Sequence, residues 1–169
     1  NNIMMSEQLF VSVIIPFYNA ESHIKTCLNS LLNQDFIKPF EIIMVDDAST
    51  DSSRNIVKMH DVPRLRLFSL PTNSGPAAAR NVGLNNAKGK YVYFLDVDDT
   101  IAANTLTTLH SIANETDCDL VFCDTEWIEN SQNQRTNIFN YPANKAFWNS
   151  DIIEEMLRRA HDPIYSGGL

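Results

Sequence analysis

Basic clusters are missing from this chain. Its 13 lysines and arginines are scattered among 21 aspartates and glutamates, for a formal net charge of −8. This argues against a nucleic-acid partner, because neutralising phosphates needs a basic patch. Cysteine is scarce as well. Cys27, Cys118 and Cys123 show no close metal-ligand spacing, and an odd number without a signal peptide points to a reducing, cytoplasmic compartment. Cys118 and Cys123 flank or lie in an apolar stretch and read as core filler. No apolar run is long enough to span a bilayer. Repeats and low-complexity tracts are also absent. One domain is expected over 10–169, after a ragged N-terminal stretch over 1–9.

What is present is a globular composition, 44% hydrophobic, laid out in alternating segments. A first strand is expected over 11–15, stopped by Pro16. Asn19 then caps a helix running to about Gln34, with Ile24, Leu28, Leu31 and Leu32 as its buried stripe. A second strand covers 40–45. Ser49 or Thr50 caps the helix that carries Ile56 and Val57. A third strand over 65–70 ends at Pro71. Gly75-Pro76 opens an alanine-rich helix that Gly89 ends. The bulky run over 91–95 reads as a buried strand. A helix near 104–114 and a fifth strand over 119–123 follow. Residues 125–145 are polar and read as loops or irregular strands, and 151–160 as an amphipathic helix. Repeated strand–helix–strand units imply an α/β fold, with a mostly parallel sheet and helices on both faces.

In such a sheet, ligands bind beyond the carboxyl ends of the strands. Tyr18-Asn19, Asp46-Asp47, Asn73-Ser74-Gly75 and Asp96-Val97-Asp98-Asp99 each follow a strand, so all four groups belong to one rim. Three carboxylates at one strand end repel each other unless a cation, a donor-rich ligand or water compensates them. Mg²⁺ or Mn²⁺ suits such oxygen ligands, completed by substrate phosphates. The competing reading is a solvated turn in which Asp99 or Thr100 caps the next helix.

Four segments carry a resemblance: VSVIIPFYN over 11–19, IMVDDASTD over 43–51, NSGPAAARNVG over 73–83 and FLDVDD over 94–99. In order and spacing they resemble the family 2 inverting glycosyltransferases, which have the Rossmann-like GT-A, or nucleotide-diphospho-sugar transferase, fold. The resemblance covers roughly the first three-quarters of the chain. It implies a nucleotide-binding part over 10–124 and the incomplete start of an acceptor-side part over 125–169. It also implies a nucleoside diphospho-sugar donor, a UDP-sugar by expectation, a divalent ion, and transfer to the hydroxyl of a glycan or glycolipid acceptor in surface-polysaccharide synthesis.

The resemblance assigns roles residue by residue. Pro16, Phe17, Tyr18 and Asn19 sit where the family holds the base, Tyr18 by stacking, although a packing role rivals it. Asp46 and Asp47 match the acidic pair that meets the base, since a carboxylate accepts the imide N–H of uracil. Capping is the rival role for Asp47 and the favoured one for Asp51. Gly75 opens the helix that carries Arg80, which can pair with Asp46 or neutralise diphosphate charge. Asp96 and Val97 match the ribose-contacting stretch. Asp98, with Asp96, matches the metal ligands of the Asp-any-Asp motif.

One expected feature is missing. The family's catalytic base stands well after the metal motif, often in a Glu-Asp pair, and no such pair occurs in this chain. Asp124 and Glu154-Glu155 are weaker candidates, Ser166-Gly167-Gly168 resembles the start of an acceptor loop, and the base is expected beyond residue 169. Two alternatives follow: a nucleotide-sugar-binding protein without turnover, and a haloacid dehalogenase-type phosphatase using Asp96 as nucleophile. The phosphatase motif belongs on a first strand, whereas three units precede it here. A receiver domain would carry its acidic pair after strand one, and a nucleotidyltransferase would have a glycine-rich basic loop at 16–19.

Overall fold

Seven consecutive buried residues make the first strand, β1 (Val11–Phe17), the centre of the fold. A computed structural model of the chain describes residues 8–121, 123, 126–128 and 135–137. After β1 come α1 (Ile24–Leu32), β2 (Phe40–Asp46), α2 (Ser53–Met59), β3 (Leu65–Ser69), α3 (Pro76–Asn86), β4 (Tyr91–Phe94) and α4 (Thr105–Thr116). The sheet order is β3-β2-β1-β4, with every neighbouring pair parallel. Separately, β5 (Glu126–Ile128) pairs antiparallel with β6 (Arg135–Asn137). Among the described residues, no helix is long and apolar enough to cross a membrane.

Strand alternation divides the core into two layers. Val11, Val13, Ile15 and Phe17 of β1 join Phe40, Ile42 and Met44 of β2 beneath Ile24, Leu28 and Leu31 of α1, Val57 of α2 and Leu106 of α4. Ile14, Ile43 and Val45 face the opposite way, toward Ala79 of α3. At Gly83, α3 lies so close to β1 that an added Cβ would collide with Ile14 Cγ2. Both faces of the central strands are therefore covered, as expected for a parallel sheet.

Several local expectations fail for identifiable reasons. Pro16 does not stop β1. Ile14 O, on the β4 side, accepts Leu95 N–H, and Phe17 O, on the β2 side, accepts Asp47 N–H. By alternation the Pro16 nitrogen faces β4, so its missing donor ends only the β1–β4 ladder, at Phe94, while pairing with β2 continues through Phe17. Asn19 caps no helix, because a turn intervenes and α1 starts at Ile24. Cys27 takes the buried place expected for Leu32, which is 40% exposed; the stripe 24, 27, 28, 31 keeps helical spacing. Ser49 and Thr50 do not cap α2, which begins only at Ser53.

Gly89 lies past the end of α3, whose final residue is Asn86. It is needed because a Cβ there would come within 2.5 Å of Ser12 N. β4 is half open rather than buried: Val92 and Phe94 on the α3 face are exposed, since α3 covers only β1 and β2. Residues 119–121 form no strand, Leu120 and Cys123 are exposed and Cys118 is half-buried, because none of them finds a ladder partner among the described residues. Asp124, the 151–160 helix with Glu154-Glu155, and Ser166-Gly167-Gly168 lie outside the described residues.

A buried polar cluster locks the amino-terminal rim of the sheet. Glu41 Oε1 accepts Ser12 Oγ–H at 2.8 Å and Lys88 N–H at 2.8 Å, while Oε2 accepts from Arg66 at 2.9 Å. Arg66 also donates to Asn86 O, and Ser12 Oγ accepts Gly89 N–H. Burial opposes the charged form of Glu41, but the Arg66 and Ser12 hydrogen bonds and the Lys88 N–H outweigh it, holding the carboxyl below its ordinary range. A carboxyl depressed in the folded state stabilises the fold above its unfolded pKa of about 4.3, and that contribution is lost as pH falls through the lower folded value. Glu41→Gln is therefore expected to lower the urea-unfolding free energy at neutral pH by about 1.5–3 kcal/mol. The deficit relative to wild type should shrink on acidification. A deficit independent of pH would contradict this account.

Candidate functional site

Parallel strands deliver their carboxyl ends to one rim, and the strand order turns between β1 and β4. A cleft of about 330 Å³ opens there. Pro16, Phe17 and Tyr18 line it from β1 and the loop that follows, and Asp47 from the end of β2. Pro76 and Arg80 contribute from α3, and Asp96, Val97 and Asp98 from the segment after β4. Three chain-distant groups of the rim thus share one concavity.

Their exposures differ and so do their uses. The Tyr18 residue is 46% exposed, whereas Phe17 is 3% exposed and belongs to the core. Val97 also packs against that core, leaving Asp96 and Asp98 facing solvent. Arg80 crosses the cleft to Asp96 Oδ1 at 2.6 Å, a charge-assisted bond between half-exposed groups. Its partner is Asp96, not Asp46. Asp46 is 2% exposed and does not line the cleft; Oδ1 accepts Ser49 N–H at 2.8 Å, and Oδ2 has only a long 3.4 Å contact with the Ser69 hydroxyl. Asp47, 3% exposed, accepts Ser74 N–H at 2.7 Å and Gly75 N–H at 2.8 Å.

Asn19 turns out to be a fastener between loops. Its φ of 47° places it in the left-handed region, which asparagine tolerates better than most residues. Oδ1 accepts Thr50 N–H at 2.8 Å and Asp51 N–H at 3.3 Å. In return Asn19 N–H donates to Ser49 Oγ, Ala20 N–H to Ser53 Oγ and Glu21 N–H to Asp51 Oδ2. Glu21 Oε2 accepts Ser52 N–H. Asp51 also accepts Ser53 N–H, but it stands one residue before Ser52, the N-cap of α2, so it is not the cap expected of it. The loops after β1 and β2 are thereby joined beneath Tyr18. Ser53 and Glu21 have no signature in the sequence, since their partners are backbone groups about 30 positions away.

The acidic turn carries uncompensated negative charge. Asp99 N–H closes the turn onto Asp96 O, and neither Asp99 nor Thr100 caps α4, which begins at Thr105. Desolvation, then the charges of Asp98 and Asp96, push the Asp99 carboxyl up. The same field reaches inward: burial, then Asp99 and Asp98, push the Cys27 thiol up to about 12, leaving it an inert core group. Among the described residues no three side chains form a ready-made cation site. Oxygen donors on Asp98 and Asp96, open to an incoming diphosphate, suit a hard ion that takes one or two carboxylates and completes its shell with phosphate and water.

Sequence and structure comparisons point the same way. The pattern for "Glycosyl transferase family 2" matches residues 12–166. The glycosyltransferase YibD of Escherichia coli K12 is 40% identical over 126 residues, 73% of this chain and 36% of YibD. TarS of Staphylococcus aureus, a poly(ribitol-phosphate) β-N-acetylglucosaminyltransferase, is 44% identical over 65% of this chain and 20% of its own length. The TarS 1–349 crystal structure in complex with UDP-GlcNAc superposes with a TM-score of 0.60 at 43% identity, covering 63% of this chain and 32% of that one. The Pyrobaculum calidifontis mannosyltransferase PcManGT, in complex with GDP-Man and Mn²⁺, gives 0.52 at 32% identity, covering 60% of this chain and 31% of its own. The chain thus spans about a fifth to a third of these relatives. With its parallel sheet, its rim cleft and a family pattern that covers most of its length, the chain belongs to glycosyl transferase family 2.

Proposed function

We propose that the cleft binds a UDP-sugar and that the protein transfers the sugar to an acceptor hydroxyl with inversion, in the synthesis of a surface polysaccharide or glycolipid at the cytoplasmic face of the membrane. The convergence of Tyr18, Arg80, Asp96 and Asp98 on one concavity carries the proposal. The UDP-GlcNAc complex of TarS supports a uridine donor, and the Mn²⁺ in PcManGT supports a divalent ion.

In this reading the exposed Tyr18 ring stacks on the base, with Pro16, Phe17 and Asn19 shaping its seat. The resemblance gives the uracil imide N–H to Asp46; because that carboxylate is buried outside the cleft lining, the uridine would have to displace the long Ser69 contact to reach Oδ2. Gly75 and Asp47 form the wall from which Arg80 meets the diphosphate, and Asp96 with Val97 lies along the ribose. Asp98, assisted by Asp96, holds Mn²⁺ or Mg²⁺, which when bound offsets the charge that grows on the departing nucleoside diphosphate. Arg80 adds a fixed positive charge to the same leaving group. The acceptor base is assigned to none of the described residues.

Two measurements test this. Titration of UDP with and without Mn²⁺ should show metal-enhanced binding that Asp98→Ala reduces by about tenfold or more, roughly 1.4 kcal/mol, with the thermal unfolding midpoint little changed. An unaltered metal enhancement in that variant rejects the ligand role of Asp98. Asp46→Asn should weaken UDP by about 1–2 kcal/mol while changing any weak GDP binding much less. Equal losses for both nucleotides would reject base reading by Asp46.

A further inference from the structure

Asp47 and Asp46 are adjacent in sequence but engaged differently. The two Asp47 oxygens are taken by successive backbone N–H groups, Ser74 on Oδ1 at 2.7 Å and Gly75 on Oδ2 at 2.8 Å. The carboxylate cannot rotate without breaking one of them, and only 3% of the residue is exposed. The clamped segment leads directly into α3. Gly75 has φ 88°, with nothing within 4 Å of an added Cβ, so the position needs glycine for its backbone angle and not for space. Pro76 follows at the first helical position, where no N–H is required. Arg80 lies one turn further on and reaches Asp96 at 2.6 Å.

We infer that Asp47 is a positioning residue for the donor diphosphate. It fixes the first turn of α3 through Ser74 and Gly75, aims the Arg80 guanidinium across the cleft, and does not contact the nucleobase. The inference rests on the reading that this cleft takes a nucleoside diphosphate. It also assigns the diphosphate its place. A helix N-terminus ordinarily attracts anions, but here the Asp47 carboxylate already occupies that ground and would repel a phosphate. The diphosphate is therefore directed away from the start of α3, toward Arg80 and the divalent ion that Asp98 would hold.

Asp47→Asn tests the assignment, because a carboxamide offers one oxygen to two N–H donors and turns its own NH₂ toward one of them. Binding of UDP and UMP in the presence of Mn²⁺ is compared in wild type, Asp47→Asn, Arg80→Ala and the double variant. Asp47→Asn should weaken UDP by about tenfold and UMP by less than about threefold. In the Arg80→Ala background it should add less than about twofold, since both changes remove one coupled element. Equal weakening of UDP and UMP, or full additivity with Arg80→Ala, overturns the inference and returns Asp47 to base contact. A wild type that binds neither nucleotide overturns the donor reading itself. The positioning role is then still tested without ligand: the Arg80 Nε–H resonance should shift and exchange faster in Asp47→Asn, while the amides of Val13 and Ile42 report an intact core. An unmoved Arg80 resonance overturns it.

Discussion

Loops leaving a parallel sheet carry backbone N–H groups that no ladder satisfies, and these groups must find acceptors. At this rim the acceptors are side chains of neighbouring loops. Asn19 takes N–H groups of the loop after β2, Asp46 takes that of Ser49, and Asp47 takes those of Ser74 and Gly75. Arg80 then ties α3 to the turn after β4. The result is a continuous polar seam through all four strand ends. Each link is worth only about 0.5–3 kcal/mol, yet together they tie the four strand ends to one another. The opposite rim has its own lock around Glu41, so the sheet is pinned at both ends.

The charge distribution follows from that arrangement. Arg80 is the cation among the residues that line the cleft, which also include Asp96 and Asp98, and it bonds only the first. Burial does most to raise the Cys27 thiol inside the core, and the charges of Asp99 and Asp98 add to it. A rim of this kind is poised to gain when a divalent ion and a diphosphate arrive together, because each compensates the other's charge.

Much of this was legible in the sequence, for physical reasons. Runs such as Val11 to Ile15 and Phe40 to Val45 identify central strands because both faces are buried there. Gly75-Pro76 marks a helix start because φ and the missing N–H leave few alternatives. The shared rim followed from strand order alone. The rest depended on partners far along the chain. Asn19 looked like a cap, but its acceptor serves Thr50 and Asp51. Gly89 looked like a helix stop, but its role is to let the chain pass β1. The run over 91–95 looked fully buried, yet half of β4 has no cover from α3. Asp46 and Asp47 are indistinguishable as letters; only the loop after β3 separates them.

Pro16 shows how a single ring shapes the cleft. The last rung between β1 and β4 is Leu95 N–H to Ile14 O. In a parallel ladder the next rung would run from residue 16 to the Leu95 carbonyl, and proline has no hydrogen to offer. The two strands therefore unzip at this point rather than continuing side by side. Asp96 and Asp98 follow at that gap, and the cleft begins where the β1–β4 ladder runs out of donors.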